Sequence, residues 1–252
     1  MVLYAALLLS AALLAALVYR HDLYDREPRG LLLLTAVAGA LAMALAGRAE
    51  DATVYALAPL PDPWWIAAAA AFWEQAARVA VVGGLCLGAR RWFNDPMDGL
   101  TYGSIAGLGM AAFESTIVLG LDPPLDGRLA APEVVRQYLH LVLAGIAGFP
   151  FGMLRTGTRG ARTAFLACTA AAAGIHFAVD WAGIRGAGLE EARALRVWVV
   201  LGATVLATAI YGSLAVAASE WSRRRFAPWS VRRLVDWPTR AIFGPPRDDS
   251  PG

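Results

Sequence analysis

With 252 residues, 58% of them hydrophobic and 17% charged, and a mean hydropathy of +0.51, the chain departs from a soluble domain, in which roughly half the residues are apolar and about a quarter charged. The length allows one membrane domain and excludes a second large soluble domain beside it. A net charge of +2, carried by 22 basic residues that are all arginine and that fall mostly between apolar blocks, gives no footing for nucleic acid as a partner.

Nearly uncharged blocks of 18 or more residues read as bilayer-crossing helices, because ~20 residues of helix traverse the hydrocarbon. The first block, 2–19, lacks a basic segment before it and a small-x-small cleavage site after it, so it reads as a span rather than a signal peptide. The others fall at 31–47, 64–88, 99–120, 136–154, 163–183 and 197–218. The expected fold is all-α: a polytopic transmembrane helical bundle of about seven spans. Residues 1–219 form a single transmembrane domain, and 220–252 form a polar tail rich in Arg and Trp (EWSRRRFAPWSVRRLVDW) that suits an anionic leaflet. Cys86 and Cys168 sit inside apolar blocks, which argues against a disulfide or a CxxC metal site.

Orientation follows from the arginines. Loops after odd-numbered spans, with the tail, hold 15 of the 22, and loops after even-numbered spans hold 6. The basic side faces the cytoplasm, so the N-terminus is expected outside and the C-terminus inside.

Ionisable side chains inside spans cost roughly 2.5–3.5 kcal/mol each on insertion scales and usually face a cavity. The third span holds Glu74 and Arg78, the fourth Glu114, the fifth His140, and the sixth His176 and Asp180. At 1.5 Å per residue, Glu74 lies roughly 15 Å, Glu114 roughly 9 Å, His140 about 6 Å and His176 roughly 10 Å below the outer surface. Four side chains on four spans thus share the outer half of the bilayer, and that level marks a candidate site. Glu74 and Arg78 are i and i+4 on one face; the pair either keeps a buried carboxylate charged or makes the span tolerable. His176 and Asp180 share the same spacing, and a carboxylate there can fix which imidazole nitrogen faces a metal or substrate. Gly99, Gly103, Gly107 and Gly109 in the fourth span, with Gly145 and Gly148 in the fifth, allow close helix packing.

These residues, in this order, resemble the PrsW family of intramembrane proteases, which is related in architecture to the CAAX prenyl endopeptidases. The loop YRHDLYDREPRGLL at 19–32 is similar to the family's first loop, and DGLTYGSIAGLGMAAFES is similar to its glycine-rich approach to the second motif. Glu74-Gln75-x-x-Arg78 resembles an EExxK motif, Met110-x-x-x-Glu114 an FxxxE motif, His140 a lone histidine opening a later span, and His176-x-x-x-Asp180 an HxxxD motif. The likeness covers about residues 4–183. Gln75 departs from the family glutamate, Arg78 from its lysine and Met110 from its phenylalanine.

The resemblance implies an integral protein of the bacterial cytoplasmic membrane that hydrolyses membrane-anchored protein substrates, such as an anti-sigma-factor-like regulator, near the outer face. Glu74 would act as general base, with Gln75 and Arg78 beside it. Glu114, His140 and His176 would hold either a metal or the water itself, and Asp180 would orient His176. Two histidines and a glutamate with an open position form a ligand set known for zinc; zinc and a metal-free glutamic mechanism both stay open. Two other readings remain. One is a catalytically silent binder of transmembrane segments, argued by Gln75. The other is a proton-coupled transporter, which predicts inverted repeats and broken helices at the midplane.

Overall fold

Each apolar block becomes one continuous helix. A computed structural model of the chain describes residues 2–22, 24–57, 62–121, 131–185 and 190–226. Its helices are α1 (Val2–His21), α2 (Arg29–Leu57), α3 (Pro63–Gly88), α4 (Pro96–Leu121), α5 (Ala131–Arg155), α6 (Ala161–Arg185) and α7 (Glu190–Phe226), with a short 3-10 turn at Arg90–Trp92 before α4. Among the described residues there is no strand, and the protein is a polytopic helical bundle.

Six of the seven helices are long and apolar enough to cross a membrane. The remaining one, α3, is 26 residues long, about 39 Å at 1.5 Å per residue and therefore sufficient for the ~30 Å hydrocarbon. Glu74, Gln75 and Arg78 lower its hydropathy, and all three are buried within the bundle. The helices run past the apolar blocks that mark them. Thus α2 continues to Leu57 through Arg48, Glu50 and Asp51, and α7 continues to Phe226, beyond the division placed at 219/220. Hydropathy locates only the part of a helix that lies in lipid; the backbone hydrogen bonds carry the helix into the interface. The rest of the expected tail, 227–252, lies outside the described residues.

The centre of the bundle is the pair α4 and α5. Nearly every side chain from Pro96 to Ala111 and from Leu139 to Pro150 is buried. By contrast α1, α2 and α7 turn apolar side chains outward, including Leu8, Leu13, Leu41, Leu45 and Val205. This is the pattern of helices bathed in lipid. Because lipid is as apolar as leucine, close packing rather than hydrophobic burial must join the central pair. A Cβ placed on Gly103 would overlap the Ala144 carbonyl oxygen, and one on Gly107 would overlap that of His140. Both helices therefore approach backbone to backbone, antiparallel, at the level of His140.

Polar contacts pin the surrounding helices to this pair. Ser10 of α1 donates to Gln137 of α5 at 2.6 Å, Ser104 of α4 pairs with Tyr211 of α7 at 3.0 Å, and Tyr138 of α5 pairs with Thr208 of α7 at 2.9 Å. At the opposite end, α4 starts in a reciprocal capping box. Asp95 accepts the Asp98 amide at 3.0 Å while Asp98 accepts the Asp95 amide at 2.7 Å, with Pro96 at the first helical position. The loop before α2 is tied to this cap: Asn94 donates to Asp25 at 2.8 Å, Tyr102 donates to Glu27, and Ser222 of α7 donates to Asp95 at 2.5 Å.

Candidate active site

The six ionisable residues expected on four spans converge on one point inside the bundle. Helix α3 supplies Glu74 and Arg78. Its start is fixed by Asp62, whose side chain accepts the Trp64 amide at 2.8 Å, followed by Pro63 at the first helical position. Eleven residues into the 26-residue helix, Glu74 and Arg78 face inward together, with Arg78 Nη2 donating to Glu74 Oε2 at 2.9 Å. Arg78 is wholly buried.

Opposite them stand the two histidines. His140 comes from α5, where Gly107 lets α4 lie against its carbonyl. His176 comes from α6, one residue before Phe177, whose ring meets Trp64 of α3 edge-on at 5.2 Å. The two imidazoles lie with their centroids 5.7 Å apart at an interplanar angle of 71°. Glu74 Oε2 is 3.5 Å from His176 Nε2 and 3.8 Å from His140 Nε2. It is thus the carboxylate at the centre of the group.

Two more carboxylates flank the imidazoles. Glu114 Oε2, from α4, lies 3.0 Å from His140 Nε2, and Asp180 Oδ2, one turn on from His176, lies 3.1 Å from His176 Nε2. Neither approach is an aligned hydrogen bond, and both oxygens are buried without a hydrogen-bond partner among the described residues. The other Glu114 oxygen meets Arg136 Nε at 3.2 Å, and Arg136 also pairs with Glu133 at 2.8 Å. Gln75 is buried next to Glu74, and neither atom of its amide has a hydrogen-bond partner among the described residues.

Reading the spans did not single out Arg136. It is the first residue of the fifth apolar block, 136–154, and it stands one turn before His140 on the same face of α5. The i, i+4 spacing that marked Glu74 with Arg78 and His176 with Asp180 would have marked it too.

Glu74, His140 and His176 each offer a ligand atom, all within 4.8 Å of one another, and this group could hold a metal ion. Glu114, expected among the ligands, lies beside that group, 3.0 Å from His140 and 3.2 Å from Arg136. In number, donor type and separation the three residues suit a divalent cation. In hydrogen bonding they do not, because Arg78 also reaches the far nitrogen of both rings. Nη1 lies 3.0 Å from His176 Nδ1, and Nη2 lies 3.4 Å from His140 Nδ1.

A sequence model described as PrsW family intramembrane metalloprotease matches residues 27–210, a stretch that contains every residue of this cluster. Comparison with curated proteins gives no match, and neither does comparison with solved structures.

Proposed function

The chain belongs to the PrsW family of intramembrane metalloproteases, and from that premise we propose that it is an endopeptidase that cuts membrane-anchored proteins at the Glu74 cluster. The observation that carries the proposal is the position of Glu74, a buried carboxylate that faces two imidazoles and is paired with a wholly buried arginine. Desolvated ionisable groups from four helices are costly to assemble, and a hydrolytic site is a use that accounts for all of them together.

Peptide hydrolysis needs a base for water, donors for the oxyanion and a proton for the leaving amine. In this reading Glu74 takes a proton from water, and the resulting hydroxide attacks the carbonyl carbon. The His140 and His176 N–H groups donate to the oxygen as it gains charge. As the C–N bond breaks, Glu74 passes its proton to the departing nitrogen. Asp180 and Glu114 lie 3.1 and 3.0 Å from Nε2 of His176 and His140, where their charge favours a protonated Nε2 while the N–H stays free for the oxyanion. Gln75 offers amide hydrogen bonds to water or substrate. Arg136 keeps Glu114 in place from the flank.

We assign the protein to a bacterial cytoplasmic membrane, and the arginine distribution supports an N-terminus outside and a site in the outer half of the bilayer. The substrates are single-pass proteins, including regulators of the anti-sigma-factor type. Their helix must unwind before a backbone carbonyl can be attacked, so residues that weaken helices are expected near the cut. The test is substitution. Glu74→Gln and His176→Ala should each lower cleavage about a hundredfold or more, and Glu114→Ala should lower it too, while the protein stays inserted and folded. Full activity in any of them removes that residue from the mechanism.

A further inference from the structure

Arginine carries five N–H donors, has no acceptor and keeps its proton in proteins. Whatever nitrogen faces its guanidinium must therefore present a lone pair. Arg78 faces Nδ1 of His176 at 3.0 Å and Nδ1 of His140 at 3.4 Å, and its Nη2 also holds Glu74 at 2.9 Å. A neutral imidazole has one N–H and one lone pair. With both lone pairs turned to Arg78, both protons sit on Nε2, the atoms that face Glu74, Glu114 and Asp180.

The arginine needs this arrangement as much as the histidines do. It is wholly buried, its Nε has no partner among the described residues, and Nη1 has His176 Nδ1 as its hydrogen bond. Turning either ring over would put a carbon where the guanidinium requires an acceptor. Coordination of a cation through Nε2 would require the opposite tautomer, with a proton on Nδ1. A metal-bound histidine ordinarily gives that proton to a carboxylate, a carbonyl or water. Here it would meet another N–H, donor against donor, in the interior of the bundle.

We propose that Arg78 is a positioning residue that locks His140 and His176 as Nε2–H donors, so that in this chain the two histidines stabilise charge by hydrogen bonding and do not hold a metal. The inference rests on the hydrolase reading of the site and assigns its chemistry to the side chains alone. The buried oxygens Glu114 Oε2 and Asp180 Oδ2, which lack partners, lie 3.0 and 3.1 Å from the two Nε2 atoms. Donors and acceptors thus sit side by side, matching the N–H and C=O groups of an unwound peptide.

The chain has only three histidines, which makes the test readable. The full-length protein, labelled with 15N at histidine and held in lipid nanodiscs, is examined by NMR with and without added zinc. The expected spectrum has two rings fixed as Nε2–H tautomers and unmoved by zinc. Two rings with the proton on Nδ1, or one zinc per chain that shifts both, would overturn the proposal. Arg78→Lys keeps the charge but loses the fork. In that variant the rings should exchange between tautomers, because one ammonium cannot donate to both Nδ1 atoms and Glu74 as the fork does, and zinc should shift rings that it leaves unmoved in the wild type. Unchanged tautomers there would show that Arg78 does not set them. The wild-type spectrum decides the matter even if Arg78→Lys fails to fold. Cleavage of membrane substrates is scored separately: a cleaving enzyme with Nδ1–H rings defeats the lock alone, and an inert protein with Nε2–H rings defeats the protease reading alone.

Discussion

Glu74 and Arg78 form a 2.9 Å ion pair inside the bundle, one turn apart on α3, with 6% and 0% of their side chains exposed. A buried pair is weak evidence of stability, but removing one partner leaves an uncompensated charge at a cost of about 3–5 kcal/mol. Arg78→Ala should therefore melt far earlier than wild type. Glu74→Gln leaves the guanidinium without its counter-charge and so also loses stability, but it keeps the shape and an oxygen that accepts from Arg78. Arg78→Ala also empties the volume of a wholly buried side chain and its contacts with both histidines, so the Gln variant should lose less. Its activity should instead fall by about 10²–10⁴, the span of a general-base contribution. Thermal melts in detergent beside turnover measurements separate the two effects. Equal melting of the two variants would contradict this account of the pair.

His176→Ala should remove one donor to the developing oxyanion and lower kcat by roughly 10²–10³. The cost should fall on kcat more than on KM, since the donor acts most strongly on the charged oxygen. A variant that changes KM alone would make His176 a binding residue.

Arg136 and Glu114 meet at 3.2 Å with 25% and 28% of their side chains exposed. A partly exposed pair contributes about 0–1 kcal/mol, so Arg136→Gln should leave the melting temperature nearly unchanged. Activity should fall severalfold as Glu114 loses the contact that holds it beside His140. Full activity in this variant would separate Arg136 from the site.

Gly107→Ala should act through the backbone. The added methyl overlaps the His140 carbonyl oxygen, and overpacking of this kind typically costs about 1–3 kcal/mol. Since α4 carries Glu114 and α5 carries His140, pushing the helices apart should lower activity as well as stability. Gly47→Ala, on α2 with nothing within 4 Å of its Cβ among the described residues, is the control: it should leave activity unchanged and cost no stability, with at most a gain of about 1 kcal/mol from helix propensity.

Burial pushes Asp22 up to about 8 from 3.8, with Asp95 and Glu27 adding repulsion. Burial likewise raises Glu27 to about 7. The folded protein therefore keeps protons that the unfolded chain releases at lower pH, and stability falls as pH rises from about 4 to about 8. Asp22→Asn should flatten that slope, raising the melting temperature at pH 8 and leaving it nearly unchanged at pH 4. A slope identical to wild type would exclude Asp22 as its source.

The helical bundle was legible because each span is a long apolar block, and the site was legible because charges inside such blocks are rare and costly. Depth alone put Glu74, Glu114, His140 and His176 at one level, and the i+4 spacing joined Arg78 and Asp180 to them. Other features were hidden by kind. The reach of Arg78 to both imidazoles depends on how α3 is rotated against α5 and α6, which periodicity does not encode. The ends of α2 and α7 lie beyond the apolar blocks, so hydropathy has no mark for them. Arg136, at the very edge of its apolar block, reads as an ordinary flanking arginine because its partner, Glu114, lies on another helix. The tie between the 22–27 loop and the α4 cap joins polar residues far apart in sequence that ordinary loop chemistry would have placed in water.

The central claim is hydrolysis at Glu74. Its most direct test compares the membrane proteome of the native host carrying wild type with that of a strain carrying Glu74→Gln, scoring intact single-pass proteins and their fragments. The account predicts at least one such protein that is cut in the wild type and accumulates intact in the variant, with the cut in the outer half of its membrane segment. Identical fragments in both strains, with Glu74→Gln folded and inserted, would contradict it.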